Sequence, residues 1–276
     1  MNVLVTGTNG FIGSNIIKLL NKNFNFFGVT KESLNLYSIK DIDSFIFKNK
    51  IESVIHCAIE GGHRLEKEES DIFYKNILMY ENLMKFKDRY TFFINISSGA
   101  EFDRRNNITS YKEEELYNNI PIDYYGLSKN IISKLNNQFE RGINLRIFNC
   151  FYPNELNTRF IRNNIKKYIN HEPMIIHQDR YMDFLYLDDL LTVIKYYLNT
   201  PQMSSVDINL TYKEKYKLSD ILTKINNISD HKSHIIIENE QFGLNYTGNS
   251  EKLYSLNLTL KGIDSGIDFC YKYFLK

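Results

Sequence analysis

The sequence lacks an excess of either charge. Its 34 Lys and Arg residues balance 33 Asp and Glu residues, so bulk charge offers no attraction for nucleic acids or membrane surfaces. It also lacks an apolar run of the roughly 18 residues that a membrane span needs. An apolar, strand-like run begins within the first three residues, so we expect no signal peptide. These absences predict a cytoplasmic protein that binds neither nucleic acid nor membrane.

Cysteine is scarce, and no pattern of metal ligands is present. Cys57, Cys150 and Cys270 fall singly inside apolar segments, which is typical of buried, reduced thiols in a cytosolic protein. The histidines of the second half are not spaced as a ligand cluster: they are His171, His177, His231 and His234. We therefore predict no metal site. With 276 residues, 43% of them hydrophobic, the chain is long enough to bury a full core.

Apolar runs of strand length alternate with amphipathic runs of helix length through about residue 150. The expected strands are 3–6, 26–29, 53–58, 91–96 and 144–148, and the expected helices are 11–20, 38–48, 70–87 and 124–142. Such alternation predicts an α/β fold with a doubly wound parallel sheet, the Rossmann fold. The pattern is less regular after Pro153, with helices near 158–170, 187–199 and 218–228 and short strands at 174–177 and 234–238.

A glycine turn joins the first expected strand to the first expected helix. Gly7, Gly10 and Gly13 are spaced three and three; they permit a tight turn, close approach to a pyrophosphate and close packing of helix on strand. The helix N-terminus adds unpaired N–H groups for the phosphates. We predict that a dinucleotide binds at Gly7, Asn9, Gly10, Phe11, Ile12 and Gly13; a purely structural turn is the alternative. Residues 1–152 would then form the dinucleotide-binding domain and 153–276 a smaller, mixed α/β substrate-binding lobe.

The second expected strand ends in Val29-Thr30-Lys31 rather than in an acid. An Asp or Glu there would bind the ribose hydroxyls of NAD and repel a 2′-phosphate. Lys31 would attract that phosphate, so the sequence favours NADP, with NAD still possible. Two observations weigh against this prediction: Lys31 has the pattern of an ordinary surface lysine, and Glu32 follows it directly.

Three polar residues form a candidate catalytic set. Tyr125 and Lys129 share one face of an expected helix because they are four residues apart. The lysine charge makes the phenol easier to ionise. The serine pair Ser97 and Ser98 ends the apolar run TFFINISS, and the Ser98 hydroxyl could hold a carbonyl oxygen while a proton and a hydride move. Each motif alone could arise by chance, but their order after a glycine turn indicates a nicotinamide-dependent carbonyl/alcohol enzyme.

Six motifs in order resemble an extended short-chain dehydrogenase/reductase of the nucleotide-sugar epimerase/dehydratase type. They are TGTNGFIG, ESVIHCAIEGG, ISSGAEF, YYGLSK, LRIFNCFYP and MDFLYLDD. The resemblance implies that Ser98 is the catalytic hydroxyl, Tyr125 the acid/base, and Lys129 its activator and a ligand of the nicotinamide ribose. The resemblance also implies that Cys57, Ala58 and Asn76 line the cofactor and that Asn149 lies near the substrate diphosphate. We further expect a homodimer. The loop KESLNL is similar to that of GDP-fucose synthase, an NADP enzyme.

Departures from the family pattern narrow the expected reaction. Gly99 and Ala100 stand where sugar 4,6-dehydratases carry an Asp-Glu pair, so we expect no dehydration. Ala100 and Arg159 stand where GDP-fucose synthase has its epimerising cysteine and histidine. The remaining expectation is an NADP-dependent reductase of a nucleotide-linked 4-keto-6-deoxy sugar in surface-glycan synthesis. An NAD-dependent 4-epimerase is the alternative, and a non-catalytic dinucleotide-binding protein is a second one.

Other polar residues are weaker candidates for substrate contact. Met182 precedes Asp183-Phe184 where the family often has an arginine, and Arg180 lies two residues away; Arg159 and Arg180 are candidate substrate ligands. Glu60 and His63 could touch the sugar or be solvated loop residues. The run 113–115, three glutamates, is expected to be an exposed helix face.

Overall fold

Strands and helices alternate along the chain in the computed structural model, which describes residues 1–20, 24–62, 69–200 and 204–276. The strands are β1 (Asn2–Thr6), β2 (Asn25–Val29), β3 (Ser53–His56), β4 (Phe92–Ser98), β5 (Ile108–Tyr111), β6 (Gly142–Ile147), β7 (Cys150–Phe151), β8 (Met174–Gln178), β9 (Leu185–Tyr186), β10 (Val206–Leu210), β11 (Ile235–Asn239) and β12 (Tyr246–Gly248). The helices are α1 (Phe11–Leu20), α2 (Ile39–Asn49), α3 (Asp71–Met84), α4 (Tyr124–Asn137), α5 (Phe160–Ile169), α6 (Leu187–Asn199), α7 (Leu218–Asn226), α8 (Glu251–Ser255) and α9 (Gly262–Phe274). Among the described residues, no helix is both long and apolar enough to cross a membrane.

The chain divides into two compact units. The first comprises Met1–Asp103, Glu113–Arg146 and Lys195–Ile208, and the second comprises Arg104–Lys112, Ile147–Ile194 and Asn209–Lys276. Compared with the predicted boundary at residue 152, the main cut lies a few residues earlier. In addition, Arg104–Lys112 belongs to the second unit although it precedes this boundary, and Lys195–Ile208 belongs to the first unit although it follows it.

The first unit is built on a six-stranded sheet with the strand order β10-β6-β4-β3-β1-β2. Strand β1 pairs in parallel with β2 and with β3, and β3 pairs in parallel with β4. The register aligns Thr6 with both Val29 and His56, and His56 with Asn95. The carboxyl ends of four strands therefore lie side by side, and the loops that follow them share one edge of the sheet, where open α/β sheets bind ligands.

Apolar side chains of the sheet and of three helices form a core on one face of this unit. Its members include Leu4, Val54 and Phe93 from the sheet and Ile42, Ile46, Met79, Leu83 and Ile132 from α2, α3 and α4. Helix α2 begins where the sequence predicts, because the Ser38 hydroxyl accepts a hydrogen bond from the Asp41 N–H at 3.2 Å. The predicted doubly wound fold is confirmed.

The second unit contains three short strand pairs, all parallel: β8 with β11, β5 with β12, and β7 with β9. Helix α9 packs closely on the third pair, since a Cβ added at Gly266 would lie 2.6 Å from the Phe151 ring and 2.7 Å from the Tyr186 ring. The Asp189 carboxylate accepts the backbone N–H groups of Lys261 and Gly262. One buried acid thereby fixes the start of α9.

Three sequence expectations differ from the structure. Helix α4 ends at Asn137 rather than near 142, because a turn closed by the Gly142 N–H and the Phe139 carbonyl starts β6 there; a Cβ at Gly142 would lie 2.1 Å from the Asn136 carbonyl oxygen. The three glutamates begin a short 3-10 turn, and Glu113 is buried instead of exposed. All three cysteines are free, but only Cys270 is buried while the other two are half-buried.

Candidate active site

Two glycines of the turn between β1 and α1, Gly7 and Gly13, have no space for a side chain. Gly7 has a φ of +69°, and a Cβ there would lie 2.7 Å from the Ala58 nitrogen. A Cβ at Gly13 would lie 2.5 Å from the Gly7 carbonyl oxygen, so α1 approaches the turn as closely as glycine allows. Helix α1 begins at Phe11, directly after Asn9 and Gly10, so its unpaired N–H groups lie at the turn. This is the geometry of a phosphate cradle.

A buried threonine holds the loop after β3 against this turn. The Thr6 hydroxyl oxygen accepts the N–H groups of Cys57 and Ala58, each at 3.1 Å, and lies 2.9 Å from the His56 Nδ1. Burial lowers the pKa of His56 to about 3, so the ring is neutral. Since the Thr6 oxygen already accepts two bonds, its proton is donated to Nδ1 and the ring hydrogen lies on Nε2. Sequence reasoning did not identify this hydrogen-bonded set.

Two opposite charges follow β2 beside the glycine turn. Lys31 is exposed, in the place expected for a cofactor contact. Glu32 is exposed too, and its Oε2 accepts a hydrogen bond from the Asn9 Nδ2 at 3.3 Å. A hydrogen bond from the Thr30 side chain lowers the pKa of Glu32, which keeps the carboxylate ionised. An acid thus does lie at the turn, one residue after the position that the sequence argument examined.

Asn76 is fully buried, and its amide ties two elements together. Its Oδ1 accepts the Glu60 N–H at 2.8 Å, and its Nδ2 donates to the Glu60 carbonyl and to the Ser128 hydroxyl, both at 3.1 Å. Glu60 itself is exposed, and its carboxylate accepts a long bond, 3.4 Å, from the Tyr37 hydroxyl. Asn76, expected to line the cofactor, therefore anchors the loop that begins at residue 57. His63 lies outside the described residues.

The two adjacent serines at the end of β4 have different surroundings. Ser97 is buried, and its hydroxyl lies 2.8 Å from that of Ser133 on α4. Ser98 is half-buried at the carboxyl end of the strand, and its hydroxyl oxygen accepts the Ala100 N–H at 3.2 Å. Ser98 begins a 3-10 turn, Gly99–Phe102, as its N-cap. The serine predicted to be catalytic is the one that stands at the edge of the sheet.

Helix α4 places Tyr125 next to the same strand end. Its N-cap is Asp123, whose carboxylate accepts the Gly126 N–H at 2.7 Å. A Cβ at Gly126 would lie 2.8 Å from the Ala100 carbonyl oxygen, so the first turn of α4 touches the turn that follows Ser98. A Cβ at Gly62 would lie 3.0 Å from the half-buried Tyr125 ring. The loop after β3 therefore packs against this tyrosine.

Lys129 lies one helical turn farther along α4 and is only 3% exposed. Its Nζ donates a 2.6 Å hydrogen bond to the Ile96 carbonyl, two residues before Ser98. Burial lowers the pKa of Lys129 to about 8, and the negative charge of Glu101 works against this change. Ser98, Tyr125 and Lys129 all belong to the first unit and surround the carboxyl end of β4.

The remaining candidate substrate residues belong to the second unit. The Asn149 Nδ2 donates to the Asp183 carbonyl at 2.9 Å. Arg159 is exposed at the start of α5. Arg180 donates a long bond, 3.4 Å, to the Gln178 side chain, while its Nε is buried without a partner among the described residues. Within the described ranges, no three His, Cys, Asp or Glu residues are grouped as they would be to hold a metal ion.

Comparisons with known proteins agree with this architecture. The sequence matches the NAD dependent epimerase/dehydratase family over residues 3–210. It is 26% identical over 273 residues to an ADP-L-glycero-D-manno-heptose-6-epimerase of Brachyspira hyodysenteriae, covering 79% of this chain and 82% of that protein. It is also 26% identical over 256 residues to a GDP-6-deoxy-D-talose 4-dehydrogenase of Aggregatibacter actinomycetemcomitans, covering 88% and 84%.

Among solved structures, a GDP-mannoheptose C4 reductase of Campylobacter jejuni with NADP bound is similar over the whole chain. The TM-score is 0.83 at 18% identity, with 100% of this chain and 98% of that one covered; at this identity the likeness shows the fold alone. The fold is a doubly wound α/β fold of the type found in extended short-chain dehydrogenases/reductases. The chain belongs to the NAD dependent epimerase/dehydratase family, and the expectation of an NAD(P)-dependent enzyme is confirmed.

The lowered pKa of Lys129 makes a prediction about stability. Folded Lys129 titrates at about pH 8, whereas a lysine of the unfolded chain titrates at about pH 10.4. Between these two pH values the unfolded chain binds more protons than the folded chain does. The free energy of unfolding of the wild type, relative to Lys129→Met, should therefore rise by about 2 kcal/mol from pH 7 to pH 10. Urea unfolding of both proteins across this range measures it. Parallel curves would contradict the assignment.

Proposed function

We propose that this protein is an NADP-dependent reductase that delivers hydride to C4 of a nucleotide-linked 4-keto-6-deoxy sugar, for surface-glycan synthesis. The observation that carries the proposal is the grouping of Ser98, Tyr125 and Lys129 around the carboxyl end of β4, in the same unit as the glycine turn. Relatives named as a 4-dehydrogenase of a GDP-6-deoxy sugar and a C4 reductase of a GDP-heptose support the same class.

The residues present fit a nicotinamide dinucleotide. The turn of Gly7, Gly10 and Gly13 would hold the pyrophosphate, since side chains at Gly7 and Gly13 would push the loop at Ala58 and the start of α1 away from the turn. Lys31 would pair with the 2′-phosphate, and the loop at Cys57 would border the cofactor. When bound, NADPH supplies the hydride. Every other requirement of the reaction falls to protein side chains.

Three side chains have distinct tasks in the proposed reduction. The Ser98 hydroxyl already accepts the Ala100 N–H, so its own hydrogen is the one available to hold the substrate carbonyl oxygen. Tyr125 donates a proton to that oxygen as it becomes an alkoxide. The Lys129 ammonium, fixed by the Ile96 carbonyl, would stabilise the phenolate that remains after this transfer.

The turn after Ser98 argues against dehydration. Gly99 and Ala100 are buried and carry no acid. The next residue, Glu101, is a buried acid, but Arg146 binds its carboxylate at 2.8 Å. It is therefore committed to an ion pair within the protein and does not serve as the acid that eliminates water.

A 4-epimerase that oxidises and re-reduces its substrate on retained NAD is the second candidate. One observation favours it: Glu32 lies at the glycine turn, hydrogen-bonded to Asn9, where a carboxylate suits ribose hydroxyls better than a phosphate. A relative named as a heptose 6-epimerase supports epimerisation as the class of reaction, at a different carbon. Tightly retained NAD in the purified protein would favour the epimerase. The homodimer and the cytoplasmic location remain predictions from the sequence.

The proposed reaction is tested with a panel of 4-keto-6-deoxy sugars linked to GDP, CDP, UDP or dTDP. With NADPH, one of them should be reduced, with a new hydroxyl at C4 in the NMR spectrum of the product. In D₂O, C3 and C5 should gain no deuterium, because Ala100 and Arg159 replace the epimerising pair. Deuterium at either carbon, or epimerisation without NADPH consumption, would contradict the proposal.

Tyr125→Phe removes the proton donor and should lower kcat about 10³-fold, while NADPH binding, followed by fluorescence, stays within about twofold. Tyr124→Phe, the same change at the neighbouring and exposed ring, is the control and should keep wild-type turnover. If the two variants behave alike, Tyr125 is not the acid.

Lys31→Met should weaken NADPH binding about tenfold, the effect of one charge-assisted phosphate contact, and leave NADH binding unchanged. Fluorescence titration with both cofactors measures the two constants. Lys40→Met, at an exposed lysine of α2, controls for net charge. A wild-type protein that prefers NADH would refute the assignment of Lys31.

A further inference from the structure

A buried carboxylate lies directly beneath the turn that carries Ser98. Glu101 is 0% exposed, and its Oε1 accepts the Ser98 N–H at 3.2 Å and the Ser133 hydroxyl at 2.9 Å. Its Oε2 accepts the Arg146 Nε at 2.8 Å. Three donors thus converge on one side chain that has only acceptors when ionised. The arrangement fits a carboxylate and leaves no acceptor to receive an acid proton.

Arg146 keeps this carboxylate charged although it is buried. Burial raises the pKa of Glu101, and the guanidinium opposes that change. Arg146 is itself 0% exposed, and its Nη2 lies 2.9 Å from the Asp207 carboxylate. Its guanidinium also covers the Phe102 ring at 4.9 Å. A buried arginine held on several sides cannot turn away to leave Glu101 unpaired.

Glu101 lies close to Lys129, because its carboxylate accepts the hydroxyl of Ser133, one helical turn after Lys129 on α4. Among the described residues, the titratable groups coupled to this lysine are Cys57, Glu101 and His56, and Tyr125 lies one turn before it on the same helix. Burial lowers the pKa of His56 to about 3 and raises that of Cys57 to about 12, so both are neutral at pH 7. Glu101 acts on Lys129 as a negative charge and raises its pKa.

We propose that Glu101 is a positioning residue of the active site: it fixes the turn that presents the Ser98 hydroxyl, and its charge stabilises the buried Lys129 ammonium. Its part in turnover rests on the proposed reductase function, in which Ser98 and Lys129 act. Its effect on Lys129 does not depend on that function, since it follows from the charges of the folded chain alone. The two effects can therefore be measured separately.

The decisive variant is Glu101→Gln, which keeps the size of the side chain and one acceptor oxygen but removes the charge. Loss of a negative charge favours the deprotonated forms of both Lys129 and Tyr125. The titration of Lys129, followed by ¹³C NMR of lysine-labelled protein and assigned with Lys129→Arg, should move toward acid by roughly one pH unit. The basic limb of kcat should move the same way, with kcat about tenfold lower at its optimum.

Asp207→Asn is the matched control. This variant removes the other carboxylate bound to Arg146. Since the Ser98 N–H bonds to Glu101 and not to Asp207, the Lys129 titration and the basic limb of kcat should both stay at their wild-type positions. An equal shift of the Lys129 titration in the two variants would mean that any disturbance of Arg146 is enough to cause it. That result would overturn the proposal. An unchanged titration and kcat in Glu101→Gln would overturn it as well.

Glu101→Asp keeps the proposal testable if Glu101→Gln does not fold. It retains the charge but is one methylene too short to reach the Ser98 N–H and Arg146 together. We expect a lower kcat with an unshifted basic limb; an unchanged kcat would refute the positioning role. Should no variant, nor the wild type, reduce any 4-keto sugar, the reductase proposal fails, while the NMR titration still decides the effect of Glu101 on Lys129.

Discussion

Helix α4 is held to strand β4 through a buried face that is largely polar. Five of its buried residues carry polar side chains: Ser128, Lys129, Asn130, Ser133 and Asn136. Apolar surfaces can slide by fractions of an ångström at small cost, whereas hydrogen bonds fail outside a narrow range of distance and angle. Because the Lys129 ammonium meets one carbonyl of β4 and the Ser133 hydroxyl meets Ser97, the helix has one register on the strand. The position of the Tyr125 phenol depends on that register.

The buried charges near the end of β4, on Lys129, Glu101 and Arg146, contribute little to the stability of the fold. The Lys129 ammonium, with its pKa lowered to about 8, has lost part of its hydration and has no ion pair within 4 Å among the described residues, a state that costs free energy. Glu101 and Arg146 form a nearby pair that is fully removed from water, and such pairs contribute little net stability on their own. Their presence at the end of β4, where well-packed apolar residues would suffice for folding, is easier to explain by function than by stability.

Local signals in the sequence were enough for the elements that depend on neighbouring residues. The glycine turn, the Ser38 cap and the limits of α6 follow from spacing and capping, because a helix start or a tight turn is determined within about five residues. The pairing of β5 with β12 joins segments more than a hundred residues apart, and no local pattern announces it. For the same reason the sequence did not indicate a role for Glu101. A single acid after Ala100 has the pattern of a surface residue, and its partner Arg146 is 45 residues away in the sequence. The choice between Ser97 and Ser98 came from the family resemblance and stays a prediction, since burial alone does not assign a catalytic hydroxyl.

The side-chain amide of Asn76 connects three elements: its own helix α3, the loop after β3 and helix α4. A chain of hydrogen bonds runs from the loop carbonyl of Glu60 through this amide to the Ser128 hydroxyl, and from there to the backbone carbonyl of Tyr125. An aspartate would turn a lone pair toward the loop carbonyl, a leucine would satisfy neither partner, and a glutamine is one methylene too long. This position therefore tolerates very little variation, although it belongs to neither the glycine turn nor the catalytic set. The freedom of the loop to rearrange around a ligand is limited by the same amide, because the hydrogen bonds transmit a movement of residue 60 to the backbone of Tyr125.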